Sequence, residues 1–179
     1  MLMGILSSLA ALFAPSAASG QAAPATCAVE PALPREWQRW PMRIGVSAAA
    51  SSATMSVIRV DQAFDVTLVP GSLARFVVPP GRKPETGGHA GLVELNVIQP
   101  GLHQVALGSA AWVDIVQSGR TIASVDHGHG PECSGIRKIV TFNLQPGRYV
   151  IQLSGAADPA LALMVRRREA RELRQSGGM

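Results

Sequence analysis

Between residues 55 and 165 apolar and polar side chains alternate with a period of two, and no long stretch of helical period interrupts them. The clearest run is Val140-Thr141-Phe142-Asn143-Leu144, followed across Gln145-Pro146-Gly147 by Tyr149-Val150-Ile151-Gln152-Leu153. Successive side chains of a strand point to opposite faces. Val140, Phe142, Leu144, Tyr149, Ile151 and Leu153 are therefore predicted on a buried face, with Thr141, Asn143, Arg148 and Gln152 on a wet one. Leu161, Leu163 and Val165 alternate in the same way and supply a closing strand, while the first clear strand signal is Phe64 to Val69.

The pattern repeats. Leu92 to Gly108 aligns with Val140 to Ser154, sharing Gln99-Pro100-Gly101 and Gln145-Pro146-Gly147 at an offset of 46, and Val66 to Phe76 gives a weaker third copy around Pro70-Gly71. Proline fixes one turn dihedral and glycine permits a positive φ at the next residue, so each copy is predicted as a β-hairpin. Antiparallel hairpins at this spacing predict an all-β fold, an antiparallel two-sheet β-sandwich of jelly-roll-like type. His103 follows its Pro-Gly turn as Tyr149 follows the other, which predicts a half-buried packing residue.

Four segments are expected. Residues 1–22 form a signal peptide, residues 23–54 a Pro/Trp-rich arm and linker, residues 55–165 the sandwich, and residues 166–179 a basic C-terminal tail. The first 29 residues carry no charged side chain, Ile5 to Phe13 is largely apolar, and small residues offer cleavage sites near Ala18 to Ala23. Retention of the leader as an anchor is the alternative, although the run is far short of the roughly 20 residues that span a bilayer. Pro31, Pro34, Trp37, Trp40 and Pro41 predict an extended arm whose aromatic rings cover the core. These features place the protein in the periplasm or outside the cell.

Two cysteines in an exported chain predict one disulfide, Cys27 to Cys133, closing a loop of about a hundred residues and contributing on the order of 3 to 5 kcal/mol. The alternative is a thiolate metal ligand at Cys133. The net charge is +4, but Arg166, Arg167, Arg168, Arg171 and Arg174 against Glu169 and Glu172 put +3 of it into the tail. A nearly neutral body argues against nucleic-acid binding, and the tail is expected to be a solvated end or a short frayed helix.

Chemistry is concentrated in Asp126 to Lys138, which gathers His127, His129, Glu132 and Cys133 among glycines. Two imidazoles and a carboxylate suit a divalent transition metal such as zinc, copper or iron, so His127, His129 and Glu132 are the candidate ligands. The set is similar to the first cupin motif, but Gly128 and Gly130 interrupt it and Glu132 follows after only two residues. A loop is therefore predicted, and a hydrogen-bonded structural loop beside a disulfide is the other reading. Trp112 and Asp114 share a face, and an aromatic platform beside a carboxylate suits a small-molecule or carbohydrate ligand. The competing reading pairs Asp114 with Arg137 or Lys138. No Gly-x-Ser-x-Gly elbow or phosphate-binding Gly-Lys-Ser/Thr loop occurs in the sequence.

Two resemblances add to this. The segment Gln145-Pro146-Gly147-Arg148-Tyr149 resembles the terminal hairpins of pre-peptidase-type β-sandwich domains. From about Leu92 to Val165 the chain resembles small exported alphaproteobacterial proteins with a His-Gly-His-Gly-Pro-x-Cys-x-x-Ile-Arg-Lys block, here His127 to Lys138, some of which are labelled homogentisate 1,2-dioxygenase. That enzyme family is a much larger cupin with a His/Glu/His iron site. The resemblance implies a shared fold and a shared site region. Two functions are thus expected as alternatives: a non-catalytic module binding a protein partner or small ligand through Trp112, Asp114, His127 and Arg137, or a metal-dependent, dioxygenase-like enzyme using His127, His129 and Glu132.

Overall fold

The computed structural model describes Cys27, residues 32–82 and residues 87–169; the expected signal peptide and the tail from residue 170 lie outside them. Twelve strands form among the described residues: β1 (Arg43–Ser47), β2 (Val57–Arg59), β3 (Gln62–Thr67), β4 (Val69–Pro70), β5 (His89–Val97), β6 (Gly101–Leu107), β7 (Trp112–Gln117), β8 (Arg120–Ile122), β9 (Ser124–Gly128), β10 (Lys138–Leu144), β11 (Gly147–Ala156) and β12 (Ala160–Arg167). Sheet A has the order β1-β3-β12-β6-β10-β9, and sheet B the order β2-β5-β11-β7-β8 with β4 also on β5. The fold is the expected all-β sandwich. Most strand pairs are antiparallel, but β1 runs parallel to β3 and β2 parallel to β5. Because β1 belongs to sheet A, the sandwich begins inside the segment expected to be an arm.

The Pro-Gly repeats correct the hairpin expectation. Strand β5 lies in sheet B and β6 in sheet A, while β10 lies in sheet A and β11 in sheet B, so each Gln-Pro-Gly carries the chain from one sheet to the other. The third copy is no hairpin either: the chain changes sheet before Val69, and Pro70 leads into a short 3-10 turn at Gly71–Leu73. Alternation reads the same in a hairpin and in such an arch, because both flanking strands present apolar residues to one core. The two arches are joined crosswise, β5 to β11 and β6 to β10, with Gly147 opposite Val97 and Gly101 opposite Leu144. Tyr149 secures the second arch: its hydroxyl donates to the Gln145 carbonyl at 2.8 Å and accepts from the Gln145 N–H at 3.1 Å.

The inter-sheet core contains the six residues predicted inward from Val140 to Leu153, together with Leu161, Leu163 and Val165. His103 is fully buried rather than half-buried, because the strand continues inward beside Phe142. Its Nδ1–H donates to the Gly101 carbonyl at 3.0 Å. Desolvation lowers its pKa below the usual imidazole value, aided by Arg167, while the Gly101 bond and Asp61 act in the opposite direction.

The wet-face expectation fails for Thr141 and Gln152, which point outward yet are buried, whereas Asn143 and Arg148 are exposed. Both outer faces carry a cover. On sheet A, Trp37 and Trp40 pack with Ala63, Ala106, Ile136, Ile139 and Met164 in a second apolar cluster. The arm achieves this in a 3-10 turn at Arg35–Trp37, not in extended form: the Trp37 N–H donates to the Pro34 carbonyl and the Trp40 N–H to the Trp37 carbonyl, each at 2.8 Å. Arg166 was expected in a solvated tail, but it is the buried seventh residue of β12 and lies 4.8 Å from the Trp37 ring centroid.

Trp40→Ala is expected to cost about 3 kcal/mol, since it opens a void over an otherwise covered sheet. Urea unfolding followed by far-ultraviolet circular dichroism measures this; a change within experimental error would mean that the arm contributes nothing to stability.

Candidate functional site

The second cover forms the site. After the 3-10 turn at Gly71–Leu73 the chain crosses the outer face of sheet B through Val77-Val78-Pro79-Pro80-Gly81, and two buried polar side chains of the sheet hold it. Gln152, only 1% exposed, accepts from the Val77 N–H at 2.6 Å and the Val78 N–H at 3.2 Å, and its Nε2 donates to the Val78 carbonyl at 3.1 Å. Asp114 lies directly opposite Gln152 in the β7–β11 register. Its Oδ2 accepts from the Gly81 N–H at 3.1 Å and its Oδ1 from the Trp112 indole N–H at 2.9 Å. A proline-rich segment has few N–H groups to offer, so the sheet supplies side chains where another strand would have used its backbone.

Asp114 is thus placed beside Trp112 as expected, but at 5% exposure both of its oxygens are already engaged. The expected pairing with Arg137 or Lys138 is replaced by these two bonds. Lys138 instead sets its ammonium 5.0 Å from the Trp112 ring centroid and donates to the Ala111 carbonyl at 3.3 Å. Desolvation lowers the Lys138 pKa and Arg82 lowers it further, while Asp114 partly opposes them. Gly81 is required at its position: a Cβ there would lie 2.9 Å from Asp114 Oδ1 and 3.1 Å from Trp112 Nε1.

The histidine block is partly strand, which corrects the loop expectation. Asp126, His127 and Gly128 end β9, the edge strand of sheet A, with His127 opposite Val140. Beyond it the chain turns back through Pro131 to Ile136 into β10. Gly130 donates to the Ile136 carbonyl at 3.2 Å, and a Cβ on Gly130 would collide with Ile136, so the block's glycine serves this close approach. His129 Nδ1–H donates to the Arg137 carbonyl at 3.0 Å. Cys133 is bonded to Cys27, as predicted, and holds a left-handed backbone with φ of 59°. The thiolate-ligand alternative falls with that bond. His127, His129 and Glu132 are exposed, and among the described residues no group of three or more His, Cys, Asp or Glu is placed to hold a metal ion. His89 opens β5, and its Nδ1–H donates to the Ala157 carbonyl at 3.2 Å.

Trp112, His127, His129, Arg137 and Lys138 come together around an open cleft of about 550 Å³ between the end of sheet B and the histidine block. Arg82, just past the strap, and Ser154, opposite Trp112 on β11, complete it. Three of the four sequence-predicted ligand residues therefore share one cleft, and Asp114 lies under it as the support of Trp112. Arg82, Lys138 and Ser154 were not anticipated. The signal available for Lys138 was its place in the block itself, while Ser154 was visible only as an outward strand position.

No family profile matches the chain, and no curated protein sequence matches it. Among solved structures the chain is similar to the pre-peptidase C-terminal domain of collagenase from Bacillus anthracis, with a TM-score of 0.39 and 14% identity over 63% of this chain and 94% of that one.

Gly81→Ala is expected to lift the strap and to cost about 1 to 3 kcal/mol, seen as faster hydrogen exchange at the Val77 and Val78 amides. Unchanged exchange would show that the strap tolerates the methyl group. In the block, Cys133→Ser should cost several kcal/mol and His129→Ala about 1 kcal/mol or less, because the disulfide restrains a long loop whereas His129 makes one exposed hydrogen bond. Denaturant melts of the two variants under oxidising conditions check the ranking.

Proposed function

We propose that the chain is an exported, non-catalytic β-sandwich that binds a small ligand or a partner through the face carrying Trp112, His127 and Arg137. The observation that carries the reading is the cleft itself, where Arg82 just past the strap and side chains of sheet B and the edge of sheet A converge on one open volume. The size is within the range of small-ligand sites. Its supports are fixed before any ligand arrives: Trp112 by Asp114, the strap by Gln152 and Asp114, and the histidine block by the disulfide. The disulfide also fits an oxidising compartment, in keeping with the apolar leader. No helix among the described residues is long and apolar enough to cross a membrane.

A fragment library screened by two-dimensional amide and indole NMR is expected to produce shifts concentrated at the Trp112 indole N–H, His127 and Lys138. His127→Ala with Arg137→Ala should abolish them while leaving the melting temperature near that of the wild type, since both side chains are exposed. Shifts that map to other faces, or a library without hits, would overturn this reading.

A further inference from the structure

Resting on that binding reading, we propose that the cleft is an oxyanion receptor, taking the carboxylate of a small acidic ligand between Arg82, Arg137, Lys138 and the Ser154 hydroxyl while the ligand's ring lies against Trp112. The first ground is charge. The cleft is lined by three cationic side chains and two imidazoles, and no carboxylate lines it among the described residues. Asp114 acts on Lys138 from below, but its oxygens are turned to the Trp112 indole and the Gly81 amide. Three like charges brought around one volume repel each other until an anion enters, and a fixed cationic pocket attracts one at a distance.

The second ground is independent of charge. Ser154 is 1% exposed and its Oγ has no hydrogen-bond partner, although the residue lines the cleft and lies directly opposite Trp112. A buried hydroxyl without a partner is costly and uncommon, and a ligand oxygen seated at the floor of the cleft would accept its proton. Arginine and lysine suit the same group in different ways, one through a planar fork and the other as a point charge. Burial, and then the neighbouring Arg82, lower the Lys138 pKa against the opposing pull of Asp114, and an anion seated in the cleft would favour its charged form.

The shared chemistry is a carboxylate attached to a ring, which both sugar acids and aromatic acids provide. Galacturonate and benzoate are the probes, with methyl galactoside and benzamide as their neutral counterparts, titrated into the full disulfide-bonded chain and followed by the Trp112 indole N–H resonance. At least one acid should bind more than tenfold tighter than its neutral counterpart and weaken as salt is raised. A response to galacturonate alone assigns the source as a sugar acid, a response to benzoate alone as an aromatic acid, and either supports the proposal. Ser154→Ala should weaken the acid about tenfold, the size expected for a hydrogen bond to a charged group, without lowering the melting temperature. Lys138→Gln should remove much of the salt dependence. Neutral and acidic partners binding equally well at Trp112 would overturn the oxyanion assignment and leave the binding face standing. Failure of all four compounds to perturb the cleft, while other fragments do so, would overturn it in the same way. If no fragment perturbs the cleft, the binding reading itself fails.

Discussion

The carboxamide of Gln152 and the carboxylate of Asp114, buried side by side on the outer face of sheet B, are the constraint on which the rest of this molecule turns. A buried polar group must find a partner: Gln152 finds its partners in the strap backbone at Val77 and Val78, and Asp114 finds its own in the Gly81 N–H and the Trp112 indole. The strap cannot leave without stripping Gln152 and one oxygen of Asp114 of their partners. With the strap held, Asp114 also fixes the Trp112 indole, and Trp112 in turn carries Lys138. The cleft is therefore a by-product of how the sheet satisfies its own polar interior.

Sheet A meets the same need with apolar means. Trp37 and Trp40 spread over Ala63, Ala106 and Met164, small or flexible residues that leave room for indole rings. The Cys27–Cys133 bond ties the N-terminal segment covalently to the histidine block. Sandwich domains commonly leave an outer face to solvent. Here the strap buries Gln152, and Thr141, the other polar residue predicted outward, is almost fully buried as well.

Alternation made the strands and the inward faces legible, because burial in a strand leaves a period of two whatever the strand pairs with. The sandwich and the residues of its inner core from Val140 to Leu153 could be read that way, as could the disulfide from cysteine parity. Pairing could not: Pro100-Gly101 and Pro146-Gly147 give the same turn chemistry in a hairpin and in an arch between sheets, and only long-range registry separates them. Trp112, His127 and Arg137 were legible as candidates because unusual residue types stand out in a β-rich chain. Arg82 and Ser154 were not, since a single arginine after a Pro-Gly pair and a serine on a strand are ordinary until the fold sets them beside Trp112. The near-neutral charge of the chain before its tail concealed the basic cleft for the same reason: balance along the sequence says nothing about clustering in space.

The sheet orders also dictate when each sheet can close. Strand β12 sits between β3 and β6, and β11 sits between β5 and β7, so the central strands of both sheets are the last two formed along the described chain. Everything synthesised before Gly147 is left as separate half-sheets with open inner edges. Such a topology is dominated by contacts distant in sequence, the kind that slows folding to the range of about milliseconds to seconds, and it ties the final collapse to the arrival of β11 and β12. A chain that stays open until its closing strands are present is one that can still be threaded through a narrow channel late in its synthesis.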